Sequence, residues 1–182
     1  MDKKYIKYKM KYLNLKENQK GGGTNSEEVL AAIDAVIADR NKFEFLSYEL
    51  RDNRDVALAA VTENGKMLEF ASQELKNDCD IVLAAVTNDG RALEYASQIL
   101  KNDRDVVLAA VTKYGSLLRF ASPTLKGDRD VVLAAVTNYG RALEYASQIL
   151  KNDCDIVLAA VTKYGKALKY ASEILKNDRN LF

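Results

Sequence analysis

The chain contains no histidine and no tryptophan, and only one proline, two cysteines and three methionines in 182 residues. Absence of histidine removes the commonest general base and the commonest zinc ligand. One proline with abundant alanine and leucine leaves helices unbroken. The longest purely apolar runs, such as Ile81 to Val86, fall far short of the ~18–20 residues of a membrane span, so no transmembrane segment is expected. No uninterrupted apolar core follows the first lysines, so no secretion signal is expected either. With so few cysteines, an intracellular, reducing compartment is the expectation.

Cys79 and Cys154 stand three repeats apart, and helices stacked at ~8–10 Å per layer put them beyond the ~7 Å Cα limit of a disulfide. They read as ordinary unbridged thiols.

What is present is charge and periodicity. The net charge of +1 hides a division. Residues 1–25 hold seven lysines against two acidic residues, a net +5, and the remainder is net −4. The basic arm, not the body, is therefore expected to meet anionic surfaces. Within it, Ile6, Met10 and Leu13 are at helical spacing, whereas Ile6, Tyr8, Met10 and Tyr12 alternate with Lys7, Lys9 and Lys11 as in a strand. Lysine, leucine and methionine favour the helix. Gly21, Gly22 and Gly23 read as a hinge between arm and body. The arm reads as a solvated segment, a targeting or packaging tag, or a membrane or nucleic-acid contact.

Aligned on itself, the remainder is a run of 25-residue repeats: 51–75, 76–100, 101–125, 126–150 and 151–175, without insertion or deletion. A degenerate unit, 26–50, stays in phase, and 176–182 begin another. The expected fold is all-α, an α-solenoid of tandem helical hairpins spanning 26–182.

Within a repeat, numbered 1–25, aspartates at positions 3 and 5 (Asp103 and Asp105) suit the start of a helix. Positions 6–11, as in Val106 to Val111, are apolar on every side and predict a helix covered all round. Thr112 can bond back to the carbonyl four residues earlier. The glycines at position 15 (Gly65, Gly90, Gly115, Gly140, Gly165) read as left-handed residues ending that helix. A shorter second helix follows over positions 16–21, burying Leu118, Phe120 and Ala121. Ser-x-x-Leu, as in Ser122-Pro123-Thr124-Leu125, reads as a cap before a single turn.

The pattern runs from Asp130 through Val132-Leu133-Ala134-Ala135-Val136 and Gly140 to Leu143-x-Tyr145-Ala146-Ser147, with Leu150-Lys151-Asn152-Asp153 following. It resembles the repeats of domain of unknown function 4116, numerous in giant-virus proteins. The opening Lys-Tyr-Ile-Lys-Tyr-Lys-Met-Lys-Tyr-Leu-Asn-Leu-Lys with Gly21 to Gly23 is similar to an N-terminal segment shared by many giant-virus proteins. The resemblance covers residues ~40–182 and that head. It implies helical repeats, a viral source and a place in infected cytoplasm or in the virion, and it implies no activity. In the first unit Arg40 stands where the glycine is expected.

Chemistry is sparse. The Asp-x-Asp pairs sit beside a lysine at position 1 and usually an arginine at position 4, whereas calcium takes ~6–8 oxygens. Capping and ion pairing between repeats is therefore expected, with no metal and no cofactor. Carboxylates and serines recurring in nearly every unit do not make a catalytic constellation, so no enzyme is expected.

Variation between units points to binding. Position 14 reads Asn64, Asp89, Tyr114, Tyr139, Tyr164, and Lys113, Arg141, Lys163 and Lys166 lie beside it in sequence. Stacked in register these make an aromatic and basic ridge, of a composition enriched at binding hot spots. The expected function is a protein–protein interaction scaffold whose partner is unidentified, using that ridge or a helical face. Packing of the tyrosines between repeats, with no ligand, is the alternative at those positions. Nucleic-acid binding through arm and ridge, or a structural virion role, are the alternatives for the whole chain. The net acidic body argues against nucleic acid.

Overall fold

In the computed structural model, residues 26–177 are described. The basic arm 1–25 and the fragment 178–182 lie outside them, so the helix expected over 3–16 and the hinge are not addressed. The chain divides into two compact units, residues 1–95 and 96–182.

Among the described residues there are helices and no strands, as the all-α repeat reading requires. The first unit contains α1 (Ser26–Ala38), the short α2 (Tyr48–Arg51), α3 (Arg54–Glu63) and α4 (Cys79–Asn88). The second contains α5 (Arg104–Lys113), α6 (Arg129–Asn138), α7 (Cys154–Lys163) and the short α8 (Glu173–Lys176). From α3 to α7 the helices begin at intervals of 25 residues. Within the first unit α1 packs on α3 and α3 on α4; within the second α5 packs on α6 and α6 on α7.

The second element of each full repeat is a 3-10 helix over positions 15–20, as in Gly115–Phe120 and Gly140–Tyr145. It buries Leu117, Leu118 and the following Ala121. Phe120, expected in the core, is only half-buried, because the 3-10 turn aims it along the surface, where the Arg119 guanidinium lies 4.5 Å from its ring centroid. The Ser-x-x-Leu cap forms as expected: Ser122 Oγ accepts the Leu125 N–H at 3.2 Å, and Leu125 is buried.

Two expectations are corrected. The α-helices are not covered all round. Val106, Val107, Ala110 and Val111 are fully buried, but Leu108 and Ala109 are half-buried and Leu158 is 47 % exposed. A ten-residue helix with neighbours on two sides keeps a third face, at positions 5, 8, 9 and 12, toward solvent.

The glycines at position 15 are not left-handed: Gly65, Gly115, Gly140 and Gly165 all lack a positive φ. Their reason is proximity. A Cβ on Gly115 would overlap the Ala135 carbonyl of the next repeat and stand 2.9 Å from the Tyr139 Cβ. Gly140 meets Ala160 and Tyr164 in the same way, and Gly65 meets Ala85. Gly165 has nothing within 4 Å. Arg40 takes the glycine position in the degenerate unit without breaking the turn. Its Asp39 carbonyl accepts the Lys42 N–H at 2.9 Å, as Asn64 accepts Met67.

Asn138 makes three bonds across repeats. Its Oδ1 accepts the Gly115 N–H at 2.8 Å, and its Nδ2 donates to the carbonyls of Thr112 at 3.2 Å and Lys113 at 3.3 Å. Asn88 does the same for Gly65 and Thr62.

Gly115→Val should therefore destabilise by at least about 2–3 kcal/mol through backbone overlap. Asn138→Val should cost about 1–3 kcal/mol through the stranded glycine N–H and carbonyls. Gly165→Val should lie within about 0.5 kcal/mol of the parent. Urea unfolding of the three variants measures all of this, and equal costs at 115 and 165 would refute the packing argument.

Candidate functional site

The ridge tyrosines occupy the junction between the α-helix and the 3-10 helix. Tyr114, Tyr139 and Tyr164 have extended backbones. Each N–H donates to the carbonyl four residues back, Tyr139 to Ala135 at 2.8 Å. Each carbonyl accepts three residues on, from Leu117, Ala142 and Ala167 at 2.7–2.9 Å. That clamp fixes the backbone, and Tyr114, Tyr139 and Tyr164 are 44 %, 41 % and 40 % exposed. Tyr139 and Tyr164 stand over the glycines of the preceding repeats, so they are held in register one repeat apart.

The same junction in the first unit is capped by a side chain. Asn64 Oδ1 accepts the Lys66 N–H at 3.2 Å, and Asp89 Oδ1 accepts the Arg91 N–H at 3.0 Å. The three tyrosines make no such cap bond. Position 14 thus exchanges a capping oxygen, ordinarily worth ~0.5–2 kcal/mol, for an exposed aromatic ring.

The basic residues divide. Lys113 and Lys163 end α5 and α7 and are exposed, as is Lys166. Arg141 is engaged: its Nε donates to Glu144 Oε2 at 3.3 Å. Glu144, and the Tyr170 of the next repeat, hold its guanidinium above its usual range. It is less available to a partner than Lys163 or Lys166.

Sequence reasoning missed a groove beside the ridge. Thr137, Asp155, Leu158, Ala159, Thr162 and Lys163 line a shallow depression of about 500 Å³. It shares Thr137 and Lys163 with a second depression over Leu133, Ala134 and Asp130. Lys163 belongs to both ridge and groove. The signal was the solvent-side stripe itself, since Asp at position 5 and Thr at position 12 bracket the leucine and alanine at polar ends.

The Asp-x-Asp pairs are occupied by the fold. Asp128 Oδ1 accepts the N–H groups of Asp130 and Val131 at 3.0 Å. Arg104 of the previous repeat reaches Asp128 at 3.0 Å and Asp130 at 2.6 Å. Arg129 clamps Asp153 and Asp155, and Arg54 clamps Asp78 and Asp80, in the same geometry. Thr112 Oγ1 donates to the Leu108 carbonyl at 2.7 Å. Cys79 and Cys154 are exposed and form no disulfide. Among the described residues no helix is long and apolar enough to cross a membrane.

Residues 32–76, 53–101, 78–126, 103–151 and 128–176 each match the family model described as Domain of unknown function (DUF4116). The chain belongs to this family. No curated protein and no solved structure matches it. The matched segments of this DUF4116 chain overlap by about one repeat and together take in every ridge tyrosine.

The Val131 N–H, followed by Arg104, holds the Asp128 carboxyl below the ordinary aspartate value of 3.8 despite its partial burial. Asp78 and Asp153 are partly buried, which alone raises them, but arginine and N–H donors bring both below that value. A lowered folded pKa stabilises fully above the unfolded value and is lost as pH falls through the folded one. Stability should therefore be flat above about pH 5 and fall below about pH 4. Combined Asp78→Asn, Asp128→Asn and Asp153→Asn should flatten that fall, read as melting temperature against pH. A slope unchanged by the triple variant would show that other carboxylates set it.

Proposed function

We propose that this chain is a non-enzymatic repeat scaffold that binds a protein partner along Tyr114, Tyr139 and Tyr164, with Lys113, Lys163 and Lys166 beside them. The observation that carries the reading is the exchange at position 14. Three successive repeats forgo the cap that Asn64 and Asp89 make and hold a ring at the surface instead. Departures from local stability rules concentrate at functional positions, and tyrosine supplies contact area at low entropic cost. The half-exposed Leu133 and Leu158 strip offers apolar area next to the lysines, as a hot spot flanked by a polar rim requires. A viral source, with action in infected cytoplasm or in the particle, belongs to the same proposal and rests on the N-terminal segment, Lys4 to Lys16 with Gly21 to Gly23.

Tyr114→Asn, Tyr139→Asn and Tyr164→Asn together should restore three caps. The melting temperature should hold or rise, while capture of the partner from the source cell is abolished. The corresponding alanine triple should also lose capture, with stability within about 1 kcal/mol of the parent. Capture that survives both triples would exclude the ridge as the site.

A further inference from the structure

The exposed edge formed by positions 13, 14, 16 and 19 carries opposite charge in the two units. In repeats 101–125, 126–150 and 151–175 these positions hold Lys113, Arg119, Arg141, Lys163, Lys166 and Lys169 against Glu144, a net +5. In repeats 51–75 and 76–100 they hold Lys66 and Arg91 against Glu63, Glu69, Asp89 and Glu94, a net −2. Position 14 changes with them, from Asn64 and Asp89 to Tyr114, Tyr139 and Tyr164. The exposure belongs to the repeat itself. Lys113, Arg119 and Arg141 have a further helix packed beyond their own and are exposed, as are Lys163, Lys166 and Lys169. Arg119 lies 4.5 Å from the Phe120 ring centroid and Lys169 4.7 Å from that of Tyr170, and neither ring neutralises its cation. Arg141 is matched by Glu144.

Beside this edge runs the solvent-side strip, where Leu108 and Leu133 are half-buried and Leu158 is exposed. Lys163 lines the strip at its basic end. The opposite end is acidic. Arg104 faces both Asp128 and Asp130, and Arg129 both Asp153 and Asp155, so each clamp keeps one negative charge over. The side chains of Asp130 and Asp155 are 73 % and 80 % exposed. A polyphosphate laid along the edge would pass these carboxylates and Glu144, whereas a peptide sets its charges only where the lysines are.

Spacing selects the form of that peptide. Tyr139 and Tyr164 each stand against the glycine that follows the preceding tyrosine, so successive rings lie about one helix layer apart, ~8–10 Å. A polyproline II segment rises ~3.1 Å per residue with three residues per turn. Every third side chain therefore meets the next repeat.

We propose that this edge of the second unit docks an extended acidic segment of a partner protein, its carboxylates on Lys113, Lys163 and Lys166 and its apolar side chains over Leu133 and Leu158. The proposal rests on the tyrosine ridge as the docking surface and adds the chemistry of what docks there. Charge sets the choice of partner and the speed of encounter, and the rings and the strip supply apolar contact.

Fluorescence anisotropy of the full chain with a labelled peptide tests it. The peptide has about fifteen residues in repeated glutamate-leucine-proline triplets, which hold the polyproline II form. At about 50 mM salt it should bind about tenfold or more tighter than the same peptide with glutamine for glutamate, and lose that advantage near about 500 mM. Lys163→Glu with Lys166→Glu should weaken it by about tenfold or more at an unchanged melting temperature. Lys66→Glu, the cation at the same position in the first unit, should leave it within about twofold. Equal binding of the glutamine peptide, no binding of either, or no loss in the lysine variant overturns the proposal. Tighter binding of an oligothymidylate or of phosphatidylserine vesicles than of the acidic peptide also overturns it. So does salt-sensitive self-association lost in the lysine variant, which would assign the edge to a second copy. The triple Tyr114→Asn, Tyr139→Asn and Tyr164→Asn separates this proposal from the ridge. Preference for glutamate that survives the triple upholds the charged edge and removes the ridge. Capture of the cellular partner that is lost in the triple but indifferent to the lysine reversals upholds the ridge and overturns the acidic segment.

Discussion

The turn of one repeat and the helix of the next approach so closely that no side-chain atom fits between them, and most other features of the repeat follow from that distance. Glycine stands at position 15 because the Ala135 and Ala160 carbonyls occupy the space a Cβ would need at Gly115 and Gly140. The alanines at position 10, Ala60, Ala85, Ala110, Ala135 and Ala160, are fully buried. Val107, Val111, Leu118 and Leu143 are then fully buried, each contributing on the order of 1.5–3 kcal/mol. The approach costs a glycine N–H its solvent, and the side chains of Asn88 and Asn138 replace it.

Polar contacts between repeats serve register more than stability. The arginines of the Arg–Asp clamps are 41–46 % exposed, and pairs of that kind contribute about 0–1 kcal/mol each. Their geometry, however, ties the capping aspartate of one helix to the start of the helix before it. The N–H groups of Ser122, Ser147 and Ser172 donate to the carbonyls of Lys101, Lys126 and Lys151 at 2.8–3.0 Å, which fixes the other end of the repeat. A slipped array would strand these donors, whereas apolar stacking alone tolerates slippage.

Because the shared positions are committed to this packing, what the packing leaves free is position 14, where a ring stands in place of a cap, and the Leu–Ala–Thr strip on the third helix face. The ridge and the strip meet at Lys163.

The sequence by itself determined the repeat length, the helical class, the aspartate and serine caps, the threonine back-bonds and the residues of the ridge. These are local properties, written in spacings of three to five residues and repeated until chance was excluded. Only the tertiary structure decided why position 15 is glycine, that Asn138 bridges repeats, and that one helix face is open. Each of these depends on atoms twenty or more residues apart in sequence, or on which side of an apolar helix receives a neighbour. A helix that reads as apolar all round carries no mark of its solvent side, and a glycine required by a neighbouring carbonyl looks, in sequence, the same as one required by its own φ.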